Sequence, residues 1–142
     1  MPVGFATAMD RSPCPCGGGL YIHCCAPFHR HDRRAATAEQ LMRSRYSAFV
    51  RGEVDYLMAT HPEFQLPVAS QRRQLQQSCR AIHWQRLCIT AIQTGGLLDV
   101  EGTVSFEAFH RGGVLRETSL FQRRNGSITG DWLYVRAVCI EA

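Results

Sequence analysis

From His83 onward the apolar residues recur at every second position, and only short turn sequences interrupt them. His83–Thr94, Val100–His110, Val114–Arg124 and Trp132–Ile140 read as four strands. Gly95-Gly96, Arg111-Gly112-Gly113 and Asn125-Gly126 supply the turns between them. A parallel crossover needs about a dozen residues or more, so these short connections predict an antiparallel meander. Val104, Phe106 and Ala108 share one face of the second strand; Phe109 shares the other with Thr103, Ser105 and Glu107. With apolar residues on both faces, the sheet is expected to curve strongly into a half-cone able to enclose a pocket.

The first half of the chain follows a different period. Thr37 stands where an N-cap belongs, and Gln40 three residues later completes a capping-box pattern. Met42, Tyr46, Phe49 and Val50 then recur at helical spacing until Gly52, which is placed to end the helix. A second helix is predicted over Glu53–Thr60 with Val54, Leu57 and Met58 inward, stopped by Pro62. Pro67–Arg80, rich in glutamine and arginine, predicts a third helix packed by Leu75 and Cys79. Helices followed by a run of antiparallel strands define an α+β fold, with the helices covering one sheet face.

Ahead of the helices, four of the seven cysteines fall within twelve residues, Cys14, Cys16, Cys24 and Cys25. Two sulfurs one residue apart, a glycine bend and two adjacent sulfurs are able to surround one soft divalent cation. Four thiolates leave no open position, so zinc held there would be structural rather than catalytic. His23 or His29 is the alternative fourth ligand, since adjacent cysteines point in different directions. His29 and His31, flanked by arginines, otherwise read as solvated. The odd cysteine count and the ligand spacing favour a reducing cytoplasm over a disulfide scaffold. Cys79, Cys88 and Cys139 sit among apolar neighbours and read as small buried hydrophobes. Met1–Ser12 reads as a loose tail without the features of a signal peptide. No apolar stretch nears the roughly 18 to 20 residues of a membrane span.

All sixteen basic side chains counted against twelve acidic ones are arginine. The absence of lysine removes Schiff-base chemistry, a lysine base and a P-loop lysine from consideration. No Ser-His-Asp order, Walker loop or Gly-x-Gly-x-x-Gly run is found. Tyr21 and Phe28 beside Arg30, Arg33 and Arg34 would let the knuckle touch RNA by stacking and phosphate contact, or would form its own minimal core.

The run CPCGGGLYIHCC resembles the SEC-C motif, the zinc-binding element at the C-terminus of the translocase ATPase SecA. The segments TAEQLMRSRYSAFVRGEVDYLMATHP, EGTVSF and GDWLYV resemble the bacterial YchJ family. That resemblance covers residues 12 to 142. It implies a tail and zinc knuckle over residues 1–33 and a nuclear-transport-factor-like, cystatin-like α+β cone over 34–142. The chain departs from the pattern in four respects. Gly18 replaces the motif's serine, the loop between Cys16 and Cys24 is one residue shorter, Leu20 stands where a basic residue precedes the aromatic, and Thr60 stands before His61-Pro62 where the family carries tryptophan. SEC-C elements of SecA contact the export chaperone SecB, so the resemblance implies a knuckle that docks onto a protein or ribosomal partner.

Within the cone, Arg43, Arg45, Tyr46, His61, Glu107, Glu117, Trp132 and Tyr134 are the candidate pocket residues. Pocket enzymes of this fold pair an Asp or Glu base with a hydroxyl donor; no such pair stands at a diagnostic spacing here. An ion pair from Arg43 to Glu117 or Glu107, and core packing of Trp132 and Tyr134, are the plainer readings. The expectation is a non-enzymatic zinc protein whose cone holds a small apolar ligand or peptide. The alternative is a small-molecule enzyme, isomerase- or hydrolase-like, acting in the cone.

Overall fold

A computed structural model of the chain describes residues 11–62 and 66–141. Most of the predicted N-terminal tail lies outside these residues. The helices are α1 (Ala26–His29), α2 (Ala38–Arg51), α3 (Val54–Ala59) and α4 (Val68–Ala81). The strands are β1 (Trp84–Thr94), β2 (Glu101–His110), β3 (Gly113–Arg123) and β4 (Trp132–Glu141). They form one antiparallel sheet in the order β1-β2-β3-β4, the meander expected from the turn spacing. The fold is α+β.

The local chemistry explains where α2 begins and ends. Thr37 accepts a hydrogen bond from the Gln40 amide, while the Gln40 side chain accepts from the Ala36 amide. Two otherwise orphaned donors are thereby satisfied. Gly52 closes the helix in the left-handed region at φ 74°, where a Cβ would be disfavoured. α2 then lies across the concave face of the sheet. Leu41 and Ala48 are fully buried, as are Val104, Phe121 and Trp132 opposite them.

Register shifts interrupt the β1–β2 and β3–β4 ladders, between Trp84 and Arg86, Ile89 and Ala91, Thr118 and Ser119, and Leu120 and Phe121. Each bulge increases local twist, and together they curl the sheet around α2. On β2 the inward residues Val104, Phe106 and Ala108 are buried, and their outward neighbours are only partly so.

Two expectations are corrected. Cys88 and Cys139 are exposed, because the register pairs them with Glu107 and Thr118 of the outward face; Cys79 is half-buried. His29 is buried rather than solvated, because α1 turns it inward against α2. The knuckle also carries short helical turns, Tyr21–His23 and α1, which its glycine-rich sequence did not announce.

Candidate metal centre and cone pocket

The knuckle loop doubles back at its glycines. The Cys14 amide donates to the Gly19 carbonyl at 2.6 Å, the Gly17 amide to Cys14 at 3.0 Å, and the Tyr21 amide to Ser12 at 2.9 Å. The turn brings Cys14 and Cys16 against Cys24 and Cys25, which follow the Tyr21–His23 turn. All four sulfurs lie within 4.8 Å of one another. Cys16 Sγ is 3.4 Å from Cys24 Sγ and 3.7 Å from Cys25 Sγ. Ligands about 2.3 Å from a tetrahedral centre stand roughly 3.8 Å apart, whereas a disulfide is about 2.05 Å long. The spacing fits four thiolates around one ion. Gly18 sits directly over the cluster, and a Cβ there would fall 2.7 Å from Cys24 Sγ.

Neither His23 nor His29 joins the sulfurs. His29 Nδ1 is 2.6 Å from the Tyr21 hydroxyl and Nε2 is 2.8 Å from the Ser44 carbonyl, so both ring nitrogens are engaged. Desolvation pushes its pKa below the ordinary histidine value. Crowding separates the acidities of neighbouring thiols. Cys14 is held well below the thiol range by hydrogen bonds from Cys16 and Cys25, and burial pushes Cys24 up to about 12. A bound cation would replace those protons.

The knuckle is seated on α2 by polar contacts. Cys14 Sγ is 3.3 Å from Ser47 Oγ, and Cys25 Sγ is 3.7 Å from the Arg43 carbonyl. Arg43 donates to the Cys16 carbonyl at 2.9 Å and to Glu39 at 2.8 Å. Arg51 lies 3.6 Å over the Tyr21 ring. Ser44 and Ser47 were missed in the sequence because serines in a helix ordinarily face solvent; both are fully buried here. Tyr21 and Phe28 are buried as well and form the knuckle's core, which leaves their rings closed to stacking on bases.

The opposite face of α2 meets a cavity of about 240 Å³ inside the cone. Arg45, Tyr46, Glu117 and Tyr134 line it, together with Met42, Phe49, Ile82, Trp84, Phe106, Leu115 and Ser119. The other four candidates fall elsewhere. Arg43, two residues from Arg45, faces the other side of the helix and serves the knuckle. Glu107 points outward and pairs with Arg116 at 2.8 Å. Trp132 is packed below the cavity, its indole donating to the Ala36 carbonyl at 3.1 Å. His61 stands behind Tyr134, with ring centroids 6.1 Å apart, and does not line the cavity.

The polar end of the cavity is built on buried charge. Arg45 Nη1 donates to the Leu57 carbonyl at 3.0 Å and to Thr60 Oγ1 at 2.6 Å, and the guanidinium lies 4.9 Å over the Tyr134 ring. Burial lowers its pKa to about 10, so it stays charged at neutral pH. Glu117 Oε2 accepts from the Ser119 hydroxyl and from the Tyr134 hydroxyl at 3.4 Å. An acid therefore does meet hydroxyl donors. Their sequence spacing hid it, because the contact depends on the bulged β3–β4 register that sets Phe121 opposite Tyr134.

The curled α+β fold is shared with solved SEC-C motif proteins. A crystal structure of a SEC-C motif protein from Psychrobacter arcticus shares the fold, with a TM-score of 0.73 at 24% identity over 95% of this chain and 86% of that one. A solution structure of another, from Rhodopseudomonas palustris, gives 0.71 at 26% identity over 92% of this chain and all of that one. The family described as "YchJ, middle NTF2-like domain" matches residues 37–137, and the chain belongs to it. UPF0225 proteins of Streptomyces coelicolor (41% identical; 89% of this chain, 94% of that protein) and Sodalis glossinidius (43%; 88% and 82%) are similar to it. Among the described residues no helix is long and apolar enough to cross a membrane.

Proposed function

We propose that this is a non-enzymatic, zinc-braced binding protein of the cytoplasm. Cys14, Cys16, Cys24 and Cys25 hold one Zn²⁺, which fastens the knuckle to α2, and the cone presents a pocket for a small, largely apolar ligand. The observation that carries this reading is the four-sulfur cluster, whose spacing suits tetrahedral thiolate ligation. Zinc supplies no reaction there, because four thiolates fill its coordination. Ser47 and the Arg43 carbonyl hold the sulfurs in place from outside.

The knuckle's exposed rim, Gly17 to Leu20 with Arg30, His31 and Arg33, is the docking surface for a protein or ribosomal partner. RNA contact would rest on these arginines alone. The test is co-sedimentation of the purified protein with ribosomes. Wild type should pellet with them, and Leu20→Glu and zinc-free Cys16→Ser should stay in the supernatant. A wild type that remains in the supernatant removes the ribosomal partner.

One observation favours a second reading, an enzyme acting in the cone. Glu117 accepts two hydroxyl hydrogen bonds at the end of an apolar cavity, a placement suited to a general base. Deuterium wash-in beside the carbonyl of phenylacetone, above the buffer rate and lost in Glu117→Gln, would support it. Wash-in at the buffer rate would remove it.

A further inference from the structure

We infer that the cone pocket selects uncharged ligands whose polar end both accepts and donates a hydrogen bond, a primary or cyclic amide on an apolar ring-sized body. This inference rests on the pocket reading above and names the class of ligand.

Size and walls set the body. A cavity of about 240 Å³ lies just under the usual range for ligand pockets, about 300 to 1,000 Å³. Tyr46, Phe49, Trp84 and Phe106 give it aromatic walls, with Trp84 edge-on to Tyr46 at 6.0 Å. Such walls favour a single ring or a short branched chain.

The polar end sets the head group. Arg45 is buried and charged, yet both partners of Nη1 are neutral oxygens, and no carboxylate lies within ion-pairing distance of it among the described residues. Nε and Nη2 make no hydrogen bond among those residues. Glu117 accepts both its hydroxyls on Oε2, and among the described residues no hydrogen bond reaches Oε1. The pocket thus offers unused donors from Arg45 and an unused acceptor on Glu117. Both lie beside one Tyr134 side chain, the guanidinium over its ring and the carboxylate at its hydroxyl.

Charge decides among head groups. Arg45 and Glu117 already balance one another inside the cavity. A carboxylate would add a second anion beside Glu117, and an ammonium a second cation beside Arg45, each with a desolvation cost and a like-charge neighbour. A carboxamide has neither difficulty. Its carbonyl accepts from Arg45 while its N–H donates to Glu117 Oε1, so both unused groups are paired.

The test uses three probes of one shape: phenylacetamide, phenylacetate and phenethylamine. Each is titrated into the full zinc-loaded chain while the indole N–H resonance of Trp84, on the cavity wall, is followed by NMR. Trp132, outside the cavity, serves as the internal control, and the chain has only these two tryptophans. Phenylacetamide should bind at least tenfold more tightly than either charged probe. In Glu117→Gln the cavity becomes net cationic, and phenylacetate should overtake phenylacetamide. Equal or better binding of a charged probe to wild type overturns the inference while leaving the pocket intact. An unchanged order in Glu117→Gln, with the fold verified by circular dichroism, overturns it as well. If none of the three moves Trp84, the pocket reading falls and this inference with it.

Discussion

Adding one methyl group at Gly18 should weaken metal binding without removing a ligand. In the folded chain the Gly18→Ala Cβ would lie 2.7 Å from Cys24 Sγ and 3.4 Å from Cys16 Sγ. The first contact is roughly 0.7 Å inside ordinary van der Waals distance. Ligand distances in such a centre tolerate only about 0.2 Å, so the sulfur cannot simply retreat. The loop backbone must move instead, straining the Cys14–Gly19 and Tyr21–Ser12 hydrogen bonds. Overpacking of this kind costs about 1 to 3 kcal/mol, which is roughly five- to 150-fold in affinity. Competition for zinc against a chromophoric chelator measures it directly. The variant should still bind one equivalent, less tightly by a factor in that range. Affinity within twofold of wild type would show that Gly18 does not press on the cluster, and the reasoning from its position would be wrong.

Arg123→Leu should lower chemical stability by roughly 2 to 4 kcal/mol, read from urea denaturation. That guanidinium is buried against Trp132 and donates to the Leu97, Asp99 and Gly130 carbonyls, tying two loops together. Thr37→Ala removes the α2 cap and should cost about 1 kcal/mol in the same assay. Acid sensitivity should fall in His29→Gln. The folded-state pKa of His29 is depressed, so the unfolded chain binds more protons as pH drops; stability is full above the unfolded value near 6.5 and declines below it. The difference between variant and wild type should therefore narrow from pH 7.5 to pH 5.5, and a constant difference would contradict it.

The sheet was legible because its information is local. Alternation and glycine turns specify strands and forbid crossovers, and all four strands appear close to where the periodicity puts them. The capping residues of α2 are equally local. Side-chain destinations were less legible where they depend on helix phase or strand register. Arg43 and Arg45 are two residues apart, so they point to opposite sides of α2, one to the knuckle and one to the cavity. A sequence does not say which side is which until the sheet is in place. Glu107 on β2 and Glu117 on β3 likewise face opposite sides of the sheet. His29 looked solvated because arginines flank it, yet a four-residue helix turns it toward the Ser44 carbonyl.

X-ray absorption at the zinc edge on the purified full chain tests the central claim most directly. One zinc per chain should be found, with four sulfur scatterers at about 2.3 Å. A shell containing nitrogen or oxygen, or cysteines recovered as disulfides with no zinc, would contradict it.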